Sequence, residues 1–191
     1  MTFGKWPVVL KSDGITLRPL RLRDRGKWDE VRAINHDWLA PWEATRPLVP
    51  GDTESAELPS FYQMVHSHNR EGRALRSLSV VLWYQDSLVG QITMGGIVMG
   101  ALRGAHIGYW VDQRFANLGI TTKAVEMMSE YGFHELGLHR IEINLRPENG
   151  ASRRVAEKAG YHFEGERPRF LHIDGQWRDH LCFVRENTKI N

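Results

Sequence analysis

Val111-Asp112-Gln113-Arg114-Phe115-Ala116-Asn117-Leu118-Gly119-Ile120-Thr121-Thr122-Lys123-Ala124 leads from the end of an alternating apolar segment, through a polar turn, into a helix-period pattern. Met127, Met128 and Tyr131 extend the face of Ile120 and Ala124, and Gly137 closes the helix. A helix that begins straight after a strand turns unpaired N–H groups outward, so it can hold a diphosphate without a charged side chain at every oxygen. Gly119 permits close approach, and Thr121 and Thr122 add hydroxyl donors. The same residues also suit an ordinary strand-to-helix connection capped by Asn117.

Upstream, β-branched and aromatic runs at 78–84, 88–99 and 105–111, separated by Gln85-Asp86-Ser87 and by residues 100–104, predict three successive antiparallel strands. Earlier still, Ile15, Leu17 and Pro19 alternate along a strand at 14–20, and Asp24 precedes a helix carrying Trp28, Val31, Arg32 and Asn35. Pro41, Pro47 and Pro50 predict a loop over 38–50, and Asp52 offers the cap of a second helix with Ala56, Phe61, Met64 and Val65. Downstream, Ile141, Ile143 and Leu145 mark a strand at 140–146 that Pro147 stops. A short helix at 149–158 ends at Gly160, and strands at 161–173 and 177–184 join at Asp174-Gly175. The expected class is α+β, one domain over 1–191, with a β-meander feeding a strand-loop-helix-strand unit.

Composition narrows the function. Over 191 residues, 41% hydrophobic and 25% charged content is that of a folded globular chain. A net charge of +2 is far from the basic excess of a dedicated nucleic-acid binder, so no direct nucleic-acid binding is expected. Cys182 is the only cysteine, which excludes an intramolecular disulfide and any cysteine metal cluster. Residues 1–10 lack a long apolar run and no stretch approaches the roughly 20 apolar residues of a membrane span, so a cytoplasmic location is expected.

Two further motifs point to a family. Arg146-Pro147-Glu148-Asn149-Gly150-Ala151-Ser152 leading to Lys158-Ala159-Gly160-Tyr161 places several unlike residues around one short helix. Leu171-x-Ile173-x-Gly175-x-Trp177-x-Asp179-His180 marks the closing hairpin. With Arg114 and Gly119 at the first and last places of a Gln/Arg-x-x-Gly-x-Gly/Ala loop, nearly the whole chain resembles the GNAT acetyltransferase superfamily, and within it the RimJ/RimL branch that acetylates protein N-termini. Asn117 replaces that loop's usual first glycine, and asparagine tolerates a left-handed backbone better than most residues.

The resemblance implies a GNAT fold: a central mixed, mostly antiparallel sheet flanked by helices and splayed between the family's fourth and fifth strands. Ile107-Gly108-Tyr109-Trp110 resembles that fourth strand. It implies acetyl-CoA as cosubstrate, with Trp110, Val111, Arg114, Asn117, Leu118, Gly119, Ile120, Thr121, Thr122, Asn149 and Ser152 as its binding residues and no metal required. Ser152 is implied to protonate or hydrogen-bond the CoA sulfur, and its plainer role is to cap its helix. His106 stands where relatives carry a glutamate just before Ile-Gly-Tyr, which implies a proton acceptor; a lone strand histidine is also commonly a packing residue. Glu43 is a second candidate base, and Trp38 and Trp42 are implied to wall the acceptor groove. Asn149 is implied to orient pantetheine, with plain capping as the alternative.

The chemistry follows from the reaction. An amine attacks a thioester carbonyl, so the site supplies a neutral amine, stabilises an oxyanion through a backbone N–H near 108–111, and protonates a thiolate. An α-amine, with a pKa of about 7.7–8.0 against about 10.4 for lysine, demands less of the base. The activity that the resemblance implies is acetyl transfer to a protein N-terminus, ribosomal proteins included, by direct attack in a ternary complex, from a monomer or homodimer. Acetylation of a polyamine, aminoglycoside or amino acid, and acyl-CoA binding without turnover, are the alternatives.

Other clusters have simpler explanations. Arg18, Arg21, Arg23 and Arg25 are interrupted by Asp24 and suit a solvated face. Arg153 and Arg154 are within reach of CoA phosphates, with at least one expected in solvent. His66 and His68 diverge on a helix, which argues against a metal site, and Met94, Met99, Met127 and Met128 suit packing.

Overall fold

The computed structural model describes residues 5–49 and 59–190. Eight strands form one sheet in the order β1-β2-β3-β4-β5-β6-β8-β7: β1 (Leu10–Ser12), β2 (Ile15–Arg18), β3 (Leu78–Tyr84), β4 (Ser87–Val98), β5 (Gly104–Val111), β6 (Arg140–Leu145), β7 (His162–Ile173) and β8 (Gln176–Glu186). Every neighbouring pair is antiparallel except β5 and β6. A parallel neighbour needs a crossover, which α4 (Ile120–His134) provides.

The crossover leaves β5 and β6 paired only at Gly104–Arg140, Ala105–Ile141 and His106–Glu142. β5 continues to Val111 and β6 to Leu145 without further pairing, so the sheet splays from that point, as the resemblance implied.

Two apolar layers hold the sheet. On one face Val80, Leu82, Ile92, Met94, Ile107, Ile141 and Ile143 pack with Ala124, Val125 and Met128 of α4 and Ala156 of α5 (Gly150–Lys158). On the other, Leu20, Val81 and Leu88 meet Val31 of α1 (Arg25–Ile34) and Val65 of α3 (Phe61–Arg73), with Trp28, Trp83 and Trp110 packed around them. β3 feeds both layers, which explains its unbroken apolar run.

Some local expectations change. β1 pairs with β2 through Asp13 and Gly14, both at positive φ; three residues carry no readable periodicity. The proline-rich segment holds a short α2 (His36–Leu39) and a 3-10 turn at Ala40–Trp42, because Pro41 lies in the first turn, where its missing N–H is not needed. Ser60 caps α3 through a reciprocal bond with Gln63; Asp52 and Ala56 lie outside the described residues. Arg18 is not part of a solvated face: it grips the buried Asp24 at 2.7 and 2.9 Å and lies over Trp83. Among the described residues no helix is long and apolar enough to cross a membrane.

Candidate active site

The splay leaves one edge of β5 beyond His106 without a strand partner, so alternate backbone groups of residues 107–111 face the gap. At Gly108 an added Cβ would meet nothing within 4 Å, so the gap is open at this level. Trp110 turns its indole away, against Trp28 at 5.7 Å and with Nε1 donating to Gln91 Oε1, which leaves only its main chain for the cleft. The Val111 carbonyl accepts from Trp38 Nε1 at 3.1 Å.

The turn after β5 is built on Asp112, which is fully buried. Its Oδ1 accepts from the Arg114 backbone N–H at 2.9 Å, and its Oδ2 from Arg114 Nη2 at 2.6 Å. Burial pushes the Asp112 carboxyl up, and the Arg114 hydrogen bonds outweigh it, holding the group below the usual carboxylate range. Buried Asn35 adds an Oδ1 acceptor for the Gln113 N–H at 2.8 Å. Arg114 therefore shapes the turn through its own guanidinium.

Asn117 takes φ 64° and Gly119 φ 77°, so the asparagine keeps the left-handed geometry at the substituted position. Gly119, not Asn117, is the residue at the helix cap, and no side chain caps α4. The first intrahelical bond runs from Lys123 N to the Gly119 carbonyl, which leaves the Ile120, Thr121 and Thr122 amides before it. Ile120 is buried in the core, Thr121 and Thr122 are half-buried, and Leu118 is exposed. A cradle of this kind suits an anion.

Across the cleft, Asn149 caps α5, its Oδ1 accepting from Ser152 N at 2.9 Å. Ser152 is thereby freed from capping, and its Oγ meets the Tyr109 hydroxyl at 2.9 Å. Burial pushes the Tyr109 phenol up to about 12. Tyr109 is the member that sequence reasoning placed only in a strand motif; its position alternates with the buried Ile107 on the α5 side.

The opposite face carries His106 and Glu142, paired across the last rung before the splay. Burial lowers the His106 pKa, with Glu142 opposing and Arg167 reinforcing. Glu142 bonds Arg140 at 2.9 Å and Arg167 at 2.7 Å, and Arg140 also pairs with Glu164. Glu142, Glu164 and Cys182 converge, but arginines occupy both carboxylates. Cys182 is a buried free cysteine, and burial pushes its thiol up to about 11.

Residues 38–45 bridge the mouth. Trp38 holds the end of β5, and Arg146, just past β6, donates to the Pro41 carbonyl at 2.8 Å with its guanidinium 5.3 Å from the Trp42 ring. Glu43 ion-pairs with Arg32, and its carbonyl accepts from Asp174 N. Ala44 bridges Ile173 and Thr45 N donates to the His172 carbonyl, tying the segment to the closing hairpin. Trp42 and Glu43 thus form a wall, with the carboxylate engaged by Arg32. Away from the cleft, Arg153 pairs with Glu157, and His66 bonds Tyr62 on α3.

Comparison with known proteins agrees with this geometry. The family model described as an acetyltransferase (GNAT) domain matches residues 15–162. Probable N-acetyltransferase YjcK of Bacillus subtilis is 46% identical over 174 residues, covering 90% of this chain and 93% of its own. The [ribosomal protein uS5]-alanine N-acetyltransferase of Escherichia coli is 28% identical, covering 91% and 88%. Mycobacterium smegmatis RimJ, solved in complex with CoA-disulfide, superposes with a TM-score of 0.84 at 35% identity, covering 97% of this chain and 90% of that one. With its splayed mixed sheet, the chain belongs to the GNAT family and is an N-acetyltransferase of the RimJ/RimL type.

Proposed function

We propose that this protein transfers the acetyl group of acetyl-CoA to the α-amino group of a protein N-terminus, with ribosomal proteins as the substrate class. The observation that carries this reading is the splay itself, with a Ser152–Tyr109 hydroxyl pair on one face and His106 on the other. Its relatives support it: the Escherichia coli relative is a ribosomal protein uS5 alanine N-acetyltransferase, and Mycobacterium smegmatis RimJ was solved in complex with CoA-disulfide.

The diphosphate would lie on the Gly119–Thr122 amides, where no side chain caps the helix. Lys158 lines a neighbouring cleft of about 470 Å³ and offers a cation for further phosphate, beside Lys123, which pairs with Asp13 at 3.2 Å. Pantetheine would follow the unpaired edge of β5 into the splay.

The amine nitrogen forms a bond to the thioester carbonyl carbon and the C–S bond breaks. The amine proton passes through water to His106, whose ring lies against Gly95 and Gly96 of β4; its lowered pKa keeps the imidazole neutral at pH 7. The leaving sulfur takes a proton from Ser152 as Tyr109 passes its own to Ser152, and the proton that His106 gained returns through solvent to Tyr109, so both hydroxyls end neutral. Glu43 is less suited to act as base, because Arg32 holds its carboxylate.

The test is release of free CoA thiol when the protein is offered acetyl-CoA with ribosomal N-terminal peptides, N-terminally blocked lysine peptides, polyamines and aminoglycosides. Turnover confined to peptides with a free α-amine is expected. Turnover only on a small amine replaces the acceptor assignment, and CoA binding with no turnover on any of them overturns the catalytic reading.

A further inference from the structure

Asn144 lies on β6 two residues beyond the last β5–β6 pair, on the face shared with Glu142, as Gly108 lies two residues beyond that pair on β5. Its Oδ1 is buried and has no hydrogen-bond partner among the described residues. Several groups on this face are otherwise engaged. Glu142 is held by Arg140 and Arg167, Arg146 reaches the Pro41 carbonyl, and the cross-strand partner Cys182 directs its Sγ to Glu164 at 3.9 Å. Gly108 presents no side chain.

A buried carbonyl without a donor is unfavourable, and its retention at a cleft signals a donor that arrives with a ligand. Ser152, Tyr109 and the open start of α4 lie toward the other face, so a thioester seated in the splay is approached by its nucleophile from the Asn144 side. A neutral primary amine attacking with its lone pair keeps two N–H donors. We propose that the Asn144 side-chain carbonyl accepts one of them, which makes Asn144 an acceptor-binding residue selective for primary amines; the other N–H is left for the proton-accepting group. This assignment rests on the acetyl-transfer reading.

The experiment compares wild type, Asn144→Ala and Asn144→Asp with an alanine-initiated peptide and its N-methyl-alanine counterpart, which has one N–H fewer. CoA affinity and peptide binding to the CoA-loaded protein are measured by calorimetry, and the melting temperature monitors folding. In Asn144→Ala, the peptide KM and the peptide dissociation constant rise about tenfold, CoA affinity changes by less than about twofold, and the preference for the primary amine collapses. Asn144→Asp preserves the shape but favours the ammonium form, so kcat rises at higher pH than in wild type. A folded Asn144→Ala with unchanged peptide KM and unchanged preference overturns the assignment, as does an unmoved pH profile in Asn144→Asp. Weakened CoA binding equal to the loss in peptide binding overturns it by assigning Asn144 to the cosubstrate. Wild type that binds CoA but transfers acetyl to neither peptide overturns the parent reading and this one together.

Discussion

The Tyr109 hydroxyl sits 2.9 Å from Ser152 Oγ, joining β5 to the first turn of α5 across the cleft. Asn149 makes the contact available by capping the helix itself, which leaves the serine hydroxyl unspent. The proton-donating role follows from this pair. Ser152→Ala is expected to lower kcat by about 10- to 100-fold while CoA affinity stays within about threefold. Tyr109→Phe, which keeps the ring, lowers kcat by a smaller factor. Steady-state kinetics with calorimetric CoA titration checks both, and unchanged kcat in Ser152→Ala removes the role.

His106 gives a pH signature. Burial lowers its pKa, so the neutral, proton-accepting form persists below the ordinary histidine value. The acid limb of kcat against pH is expected to have its midpoint below about 6.5 in wild type. His106→Gln is expected to lose that limb and to lower kcat by about 10- to 100-fold. A limb that survives the substitution assigns the proton to another group.

Gly108 separates cleft volume from stability. An added Cβ there meets nothing within 4 Å, and a β-branched residue suits a strand. Gly108→Val is therefore expected to leave the melting temperature within a few degrees of wild type and to reduce turnover by more than about tenfold, by filling the space the reactants need. Turnover at the wild-type rate would place the reaction elsewhere.

The Arg18–Asp24 pair predicts an acid-linked stability term. Burial raises the Asp24 pKa, but hydrogen bonds from Arg18 and the Arg21 N–H outweigh it and hold the carboxyl below its ordinary value. A carboxyl depressed in the folded state contributes stability above its unfolded pKa of about 3.9, and that contribution is lost as pH falls through the folded value. Asp24→Asn is expected to cost about 2–4 kcal/mol at pH 7, because Arg18 is left in a largely buried position, with the deficit shrinking below about pH 4. Urea denaturation at the two pH values measures it.

Local sequence carried the three-strand meander and the short α5 helix, because alternation, turn residues and a capping asparagine act within a few positions. It also carried the left-handed Asn117, through an intrinsic backbone preference. Arg114 shows the limit: the motif marks its place in the loop, and only the structure shows its guanidinium closing on Asp112 two residues away. Glu43 likewise reads as a free loop carboxylate until Arg32, eleven residues earlier, is brought against it.

What the sequence determined by itself was the order of the main strands and helices and the family motifs. The tertiary structure alone decided which hydroxyl faces Ser152, that Trp38 reaches Val111 over 73 residues, and that Asn144 is left without a donor at the mouth of the splay. The reason is physical: periodicity reports which face of an element is buried, whereas the partners at a cleft are set by where two parallel strands part. That divergence depends on the packing of α4 and α5 against the whole sheet.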